Sequence, residues 1–215
     1  MHVGDAMRSV QRNRDRLAEE LGLPSVPQWL DQVHGCTVVD ACDDGISRRG
    51  DAAYADRTGV VCAVLTADCL PVMLCSRDGS EVAVVHCGWR GLAAGVLRAS
   101  AGRFRAPAHT IMAWLGPAIA QQAFEVGAEV REHFLDTARS DLQRAGMDAA
   151  FAPSPLRPGK FHADLYALAR NELATIGVTA VYGGGFCTHA DAGRFFSYRR
   201  DGRTGRMASL IWIST

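Results

Sequence analysis

Three strand-length apolar runs, separated by two short breaks between residues 60 and 87, limit the fold more than any other part of this sequence. Val60 to Leu65, 70–75 and 81–87 are rich in Val, Leu and Cys and too short for helices, so they read as buried strands. Arg77-Asp78-Gly79-Ser80 joins the last two and carries an Asp-Gly hairpin signal. The first break is Thr66-Ala67-Asp68-Cys69, followed by Leu70-Pro71, and the third run ends in His86-Cys87-Gly88-Trp89-Arg90-Gly91. A thiol and an imidazole therefore stand at strand ends, where side chains can converge. Asp31-Gln32-Val33-His34-Gly35 supplies a second imidazole upstream. One Cys and two His can hold a Zn²⁺ with a fourth position left for water or substrate, the layout of a catalytic site.

The rest of the chain can be read around this centre. Met7, Val10, Leu17 and Leu21 recur at helical spacing, which predicts an amphipathic helix over about 6–21, closed by Gly22 and Pro24. It starts abruptly, with no upstream strand to pack on. Cys36 to Val39 is β-rich. Residues 40–56, rich in Asp, Gly, Ser and Arg, read as an exposed loop that can cover the site. Leu92, Val96, Ser100 and Phe104 mark one helix starting near Trp89, followed by a strand at Ile111 to Leu115 and a helix marked by Val126, Val130 and Phe134. Residues 136–160 read as a surface excursion. A helix through Leu165, Leu168, Glu172 and Ile176 ends at Gly177, and Thr179 to Tyr182 is a strand. Phe195 to Tyr198 and Met207 to Ile213 suggest a strand pair across a basic turn. Helices interleaved with hairpin-linked strands predict an α+β fold, a single domain over 1–215 with mixed β-sheets flanked by helices.

With 23 basic and 23 acidic residues, the chain has no net charge that would draw it to nucleic acid or to an anionic membrane. No apolar run approaches the ~18–20 residues of a bilayer span, and the N-terminus lacks a secretory layout. A cytoplasmic protein is expected. The 7 cysteines are odd in number and scattered, which favours reduced thiols over a disulfide scaffold. Cys62 and Cys75 fall in apolar runs and read as core residues.

Several chemistries fit the same atoms. Cys69 could be a metal ligand, or a thiolate nucleophile with His86 as its base. Thiolate and imidazole also suit Cu²⁺, although a multicopper oxidase needs more histidines than these. Arg90 could grip a phosphate or carboxylate, or form a structural ion pair. Arg199, Arg200, Arg203 and Arg206 make a local basic cluster that could receive an anion or simply be solvated. Gly183-Gly184-Gly185 would let a ligand approach the backbone, and Cys187-Thr188-His189 offers a further thiol.

Taken together, the motifs resemble the polyphenol-oxidase/laccase-domain family, also called YfiH-like proteins and described as purine nucleoside phosphorylases. The resemblance rests on His2-Val3-Gly4-Asp5 with Asn13-Arg14, Gln32-Val33-His34-Gly35, Ala67-Asp68-Cys69-Leu70-Pro71 and Val85 to Gly91. It continues through Gly116-Pro117-Ala118-Ile119, Phe124-Glu125-Val126-Gly127, Asp164-Leu165, Cys187-Thr188 and Phe196 to Gly202. It implies a zinc site at His34, Cys69 and His86, with Cys69 and His86 catalytic, and a fold similar to a cysteine-deamidase toxin domain. The implied partners are a small-molecule nucleoside and phosphate, in a monomer or small homo-oligomer. The implied activities are phosphorolysis of adenosine, inosine and methylthioadenosine, and adenosine deamination. Some members remove serine from a muramyl precursor; copper polyphenol oxidation is an older attribution. A non-enzymatic, metal-stabilised interaction domain is the remaining alternative. Arg90 and Arg199 are the candidates for holding phosphate.

Two departures from the family pattern matter. Members usually carry an upstream strand region, with Thr-Arg-x-Gly-Gly and Asn-Leu-Gly, before the His-Val-Gly-Asp match at which this chain starts. This departure puts in doubt any substrate contacts that the family makes from that region. Cys87 stands where the family typically has alanine, and is expected to place an oxidation-sensitive thiol beside His86.

Overall fold

The computed structural model describes residues 4–214, so His2 and Val3 of the first matching motif lie outside the described residues. In chain order the elements begin with α1 (Met7–Leu21), β1 (Leu30–Asp31), β2 (Val38–Asp40), β3 (Arg48–Arg49) and β4 (Ala52–Ala55). The central run follows as β5 (Cys62–Thr66), β6 (Leu70–Ser76) and β7 (Val82–Cys87), then α2 (Trp89–Ala93), α3 (Val96–Ala101) and β8 (Ile111–Leu115). The remainder is β9 (Glu125–Gly127), α4 (Ala128–Asp136), α5 (Asp141–Ala149), β10 (Phe151–Pro153) and β11 (Lys160–Ala163). It closes with α6 (Leu165–Thr175), β12 (Ala180–Gly183), α7 (Tyr198–Asp201) and β13 (Met207–Ile211).

A six-stranded mixed sheet in the order β12-β8-β6-β7-β4-β2 is the frame. Its inner pairs are antiparallel, from β8 across to β4, and each outer pair is parallel. Alternation along β7 explains why its sequence is apolar from Val82 to Val85, ahead of His86 at its end. Ala83, Val85 and Cys87 join a core with Leu92, Val96, Leu97, Leu168 and Leu173 of the helices. Val82 and Val84 join a second core, with Val39, Ala53, Cys62 and Val64, on the opposite face. A strand covered on both faces has no position that gains from a polar side chain. The second face is roofed by the antiparallel ribbon β5–β13, in register from Cys62↔Ile211 to Thr66↔Met207.

Four expectations from the sequence are corrected. Residues 40–56 are not merely an exposed loop: β4 lies wholly buried between β7 and β2. Its Ala-Ala-Tyr-Ala sequence gives no β-branched signal because small side chains fit where both faces are closely packed. The expected helix through Leu92 and Phe104 is two helices, broken where Gly95 takes φ 88°. Residues 136–160 hold α5 and β10, and Met147, Ala150 and Phe151 are core residues rather than surface. Phe195 to Tyr198 is not a strand: Ser197 caps α7 by accepting the N–H of Arg200, and β13 pairs with β5 instead. No helix among the described residues is long and apolar enough to cross a membrane.

Candidate metal centre

His34, Cys69 and His86 meet at one end of the main sheet, with one ligand atom from each lying within 4.8 Å of the others. His86 sits near the end of β7, opposite Pro71 of β6, and Cys69 immediately precedes β6. Sheet register thus brings together two groups well separated in sequence. His34 arrives from the loop between β1 and β2. Its imidazole Nε2 is 3.9 Å from Cys69 Sγ, and the two histidine rings meet edge to face at 4.8 Å.

The donor set fits a metal ion. Thiolate and imidazole donors around a tetrahedral zinc sit at ~2.0–2.3 Å, hence roughly 3.3–3.8 Å apart, so small inward shifts close the observed spacing. The neighbouring backbone leaves the room required. A Cβ on Gly88 would lie 2.6 Å from His34 Cδ2 and 3.3 Å from Cys69 Sγ, and one on Gly91 would lie 2.7 Å from the Gly35 carbonyl oxygen. These are the glycines of Gly88-Trp89-Arg90-Gly91, and here they permit close approach rather than a turn. His34 is exposed, Cys69 half-buried and His86 buried, so the group opens to solvent from the His34 side.

Two aspartates build the surroundings. Asp51, just before β4, is fully buried. Its carboxylate accepts N–H groups from Val33 (3.2 Å), His34 (2.8 Å) and Gly35 (2.7 Å), and it lies 2.9 Å from Nδ1 of His86. Asp68 takes φ 88°, a left-handed conformation rare for a non-glycine residue. Its carboxylate accepts from the hydroxyls of Thr188 (2.6 Å) and Ser197 (3.0 Å) and from the Arg199 backbone N–H (2.7 Å). Both buried carboxylates are satisfied by donors distant in sequence, so neither is recognisable as a partner from the sequence. Asp51 falls inside the stretch read as a loop. Its only sequence signal is position, immediately ahead of a short Ala-Tyr run.

The charges are mutually supporting. Burial works against the charged form of His86, but Asp51 and Cys69 outweigh it and push its pKa up to about 9. Burial likewise raises Cys69, yet His34 and His86 bring it down to about 6. Asp51 is lowered in spite of its burial, chiefly by His86. Cys87 behaves differently. It is completely buried in the helical-face core, and burial pushes its thiol well above the usual range. The expectation of a reactive thiol beside His86 is therefore corrected: successive residues of a strand point to opposite faces, and Cys87 points away from His86.

The other candidates occupy distinct places. Arg90 is exposed, with its guanidinium 4.4 Å from the centre of the Trp89 ring. Arg199 is anchored at Asp68 through its backbone, while its guanidinium donates to the Glu125 carbonyl and lies 5.3 Å from the Phe124 ring centre. Arg200 donates to the carbonyls of Thr188, His189 and Phe195, so it fastens this segment rather than facing an open pocket. Cys187 accepts the Ala120 N–H, next to Thr188 on Asp68. Gly183, Gly184 and Gly185 all have positive φ, and a Cβ on Gly183 would reach 2.4 Å from the Leu115 carbonyl oxygen. Close packing against β8 accounts for that glycine without a ligand.

A mixed sheet with a Cys-His-His group at its end defines a YfiH-like fold with a possible metal site. The chain belongs to the family described as multi-copper polyphenol oxidoreductase laccase, whose model matches residues 1–214. A Pseudomonas aeruginosa protein named purine nucleoside phosphorylase is 52% identical over 99% of this chain and 84% of its own length. The Escherichia coli purine nucleoside phosphorylase YfiH is 49% identical over the same shares. Among solved structures, a Neisseria meningitidis protein of the DUF152 family superposes with a TM-score of 0.91 at 47% identity, covering 100% of this chain and 85% of that one.

Proposed function

We propose that the protein is a zinc-dependent purine nucleoside phosphorylase acting on adenosine, inosine and methylthioadenosine, with adenosine deamination as a second activity. The observation that carries this is the open Cys-His-His group at the sheet end; relatives named purine nucleoside phosphorylase at about half identity supply the substrate class. In phosphorolysis a phosphate oxygen bonds to the ribose anomeric carbon as the bond from that carbon to the purine nitrogen breaks. The products are the free base, which takes up a proton, and ribose 1-phosphate. In deamination, water replaces the C6 amine and ammonia leaves.

Bound by His34, Cys69 and His86, a zinc ion would supply Lewis acidity at neutral pH. The chain's own groups do the rest. His86 is held through Nδ1, which leaves Nε2 for the metal. Arg199, whose backbone N–H is bonded to Asp68 beside Cys69, is the proposed phosphate-binding residue, with exposed Arg90 as its rival. Among the described residues the one three-donor group contains a single thiol and two imidazoles, too few for the copper array of a multicopper oxidase.

Incubation of purified protein with adenosine, with and without phosphate, tests the reading chromatographically. Adenine that appears only with phosphate is the expected result, and inosine formed without phosphate marks the deamination. Intact adenosine in both reactions rules out the purine assignment and directs attention to the serine amidase on a muramyl substrate.

A further inference from the structure

Two of the three candidate ligands depend on one carboxylate. The Asp51 side chain has two oxygens, and four donors point at them. Oδ1 takes the His34 N–H and faces His86 Nδ1; Oδ2 takes the N–H groups of Val33 and Gly35. His34 sits in the middle of this cradle with φ 60°, so three successive N–H groups turn inward around the anion. Asp51 is itself fixed at both ends, its N–H bonded to the Thr37 carbonyl and its carbonyl accepting the His86 N–H. The side chain is fully buried, so bulk water does not compete for these bonds.

From this geometry, and resting on the zinc reading above, we propose that Asp51 is a positioning residue that orients His34 and His86 together and thereby sets the affinity of the metal site. It acts on His34 through the backbone, by holding the left-handed loop that carries the ring. It acts on His86 through the ring, by keeping the proton on Nδ1 and leaving the Nε2 lone pair free for a metal. The Cys69 side has its own holder in Asp68, so Asp51 governs only the imidazole half of the site. The arrangement also makes asparagine a sharp probe. All four partners are donors, so the amide NH₂ of an Asn must face at least one of them, whichever way it is turned. Either the loop around His34 or the orientation of His86 is disturbed.

The test uses the whole chain, D51N against wild type. Zn²⁺ affinity is measured by competition with a chromophoric chelator, and Co²⁺ substitution gives the thiolate-to-cobalt absorption as a signature of ligand geometry. Circular dichroism of the metal-free proteins checks folding. D51N is expected to stay folded, to bind Zn²⁺ about 10–100-fold more weakly, and to show an altered cobalt spectrum. Unchanged affinity and spectrum in a folded D51N would overturn the proposal and leave Asp51 a purely structural residue. Should D51N fail to fold, the ¹⁵N shifts of the His86 ring in zinc-loaded wild type decide. A protonated Nδ1 with Nε2 on the metal supports the role, and the reverse assignment overturns it. Wild-type protein that takes up no Zn²⁺ would instead remove the metal reading itself, and this inference with it.

Discussion

The two ends of the β4–β7 pair use the same device for different purposes. Asp51 stands just before β4 and Glu81 just before β7, and because the strands run antiparallel the two carboxylates lie at opposite ends. Each is buried, and each accepts backbone N–H groups from a loop plus one aromatic side chain. For Glu81 these are the N–H groups of Arg105 (2.8 Å) and Ala106 (2.9 Å) and the Tyr54 hydroxyl. Burial raises the Glu81 carboxyl, but the Tyr54 bond and the two N–H groups outweigh it and hold it below its ordinary value. Tyr54 then packs edge to face on Phe104 at 5.4 Å, and its own hydroxyl is pushed upward by burial and by Glu81. The partner of Asp51 is a ring with a second nitrogen, turned toward Cys69 and His34. A buried, satisfied carboxylate is therefore not a functional mark in itself. What matters is whether its side-chain partner has a second polar atom facing an open convergence of donors.

The strongest test of this contrast removes the convergent thiol. Cys69→Ala is expected to cut turnover by roughly 10³-fold or more, since the proposed zinc would supply several kcal/mol of charge stabilisation, with urea stability little changed. A Cys69→Ala protein that keeps turning over adenosine would break the link between this end of the sheet and the chemistry. Glu81→Ala should show the converse pattern. It leaves three donors unpaired, so a stability loss of about 3 kcal/mol in urea is expected, with Zn²⁺ affinity within about twofold of wild type. If metal affinity fell instead, the two ends would not be independent.

Gly88→Ala sharpens the geometric side. The added Cβ collides with the His34 ring and crowds Cys69, so Zn²⁺ affinity should fall about 10–100-fold, read by chelator competition. On the acid limb of stability, where Asp51 is among the other depressed carboxylates, comparison of wild type with Glu81→Gln isolates the contribution of Glu81. Its folded pKa is depressed, so its contribution is complete above the unfolded value of about 4.3 and disappears as pH falls through the lower folded value. Wild type should consequently lose stability more steeply than Glu81→Gln below about pH 4.3, measured by urea melts across that range. The smallest expected effect concerns the anion. Arg199→Ala should raise KM for phosphate about 10-fold, whereas an increase confined to Arg90→Ala would move phosphate to the start of α2.

Local sequence was enough to determine much of this protein. Helix α1, the hairpin of β6 and β7 turning at Gly79, and strand β8 follow from periodicity and turn chemistry, because each answers to forces acting within a few residues. Cys69 and His86 were legible as candidates because each stands at the end of a short apolar run, with Asp68 before the thiol and Gly88 two residues after the imidazole, and His34 because it adjoins Gly35. Only the tertiary structure decided what surrounds them. β4 has three alanines around Tyr54, a run too weak in strand propensity to mark it, and it becomes a strand because β7 and β2 bond to both its edges. β13 pairs with β5 rather than with Phe195 to Tyr198, since the buried face of β5 offers its apolar side chains a cover and Ser197 starts a helix instead. Asp51 and Asp68 acquire their meaning from donors remote in the chain, and Cys87 loses its expected role because strand alternation turns it into the core. Hydrogen bonds between remote groups and the facing of a strand are settled by packing, and one sequence carries no record of which distant donor a buried carboxylate will meet.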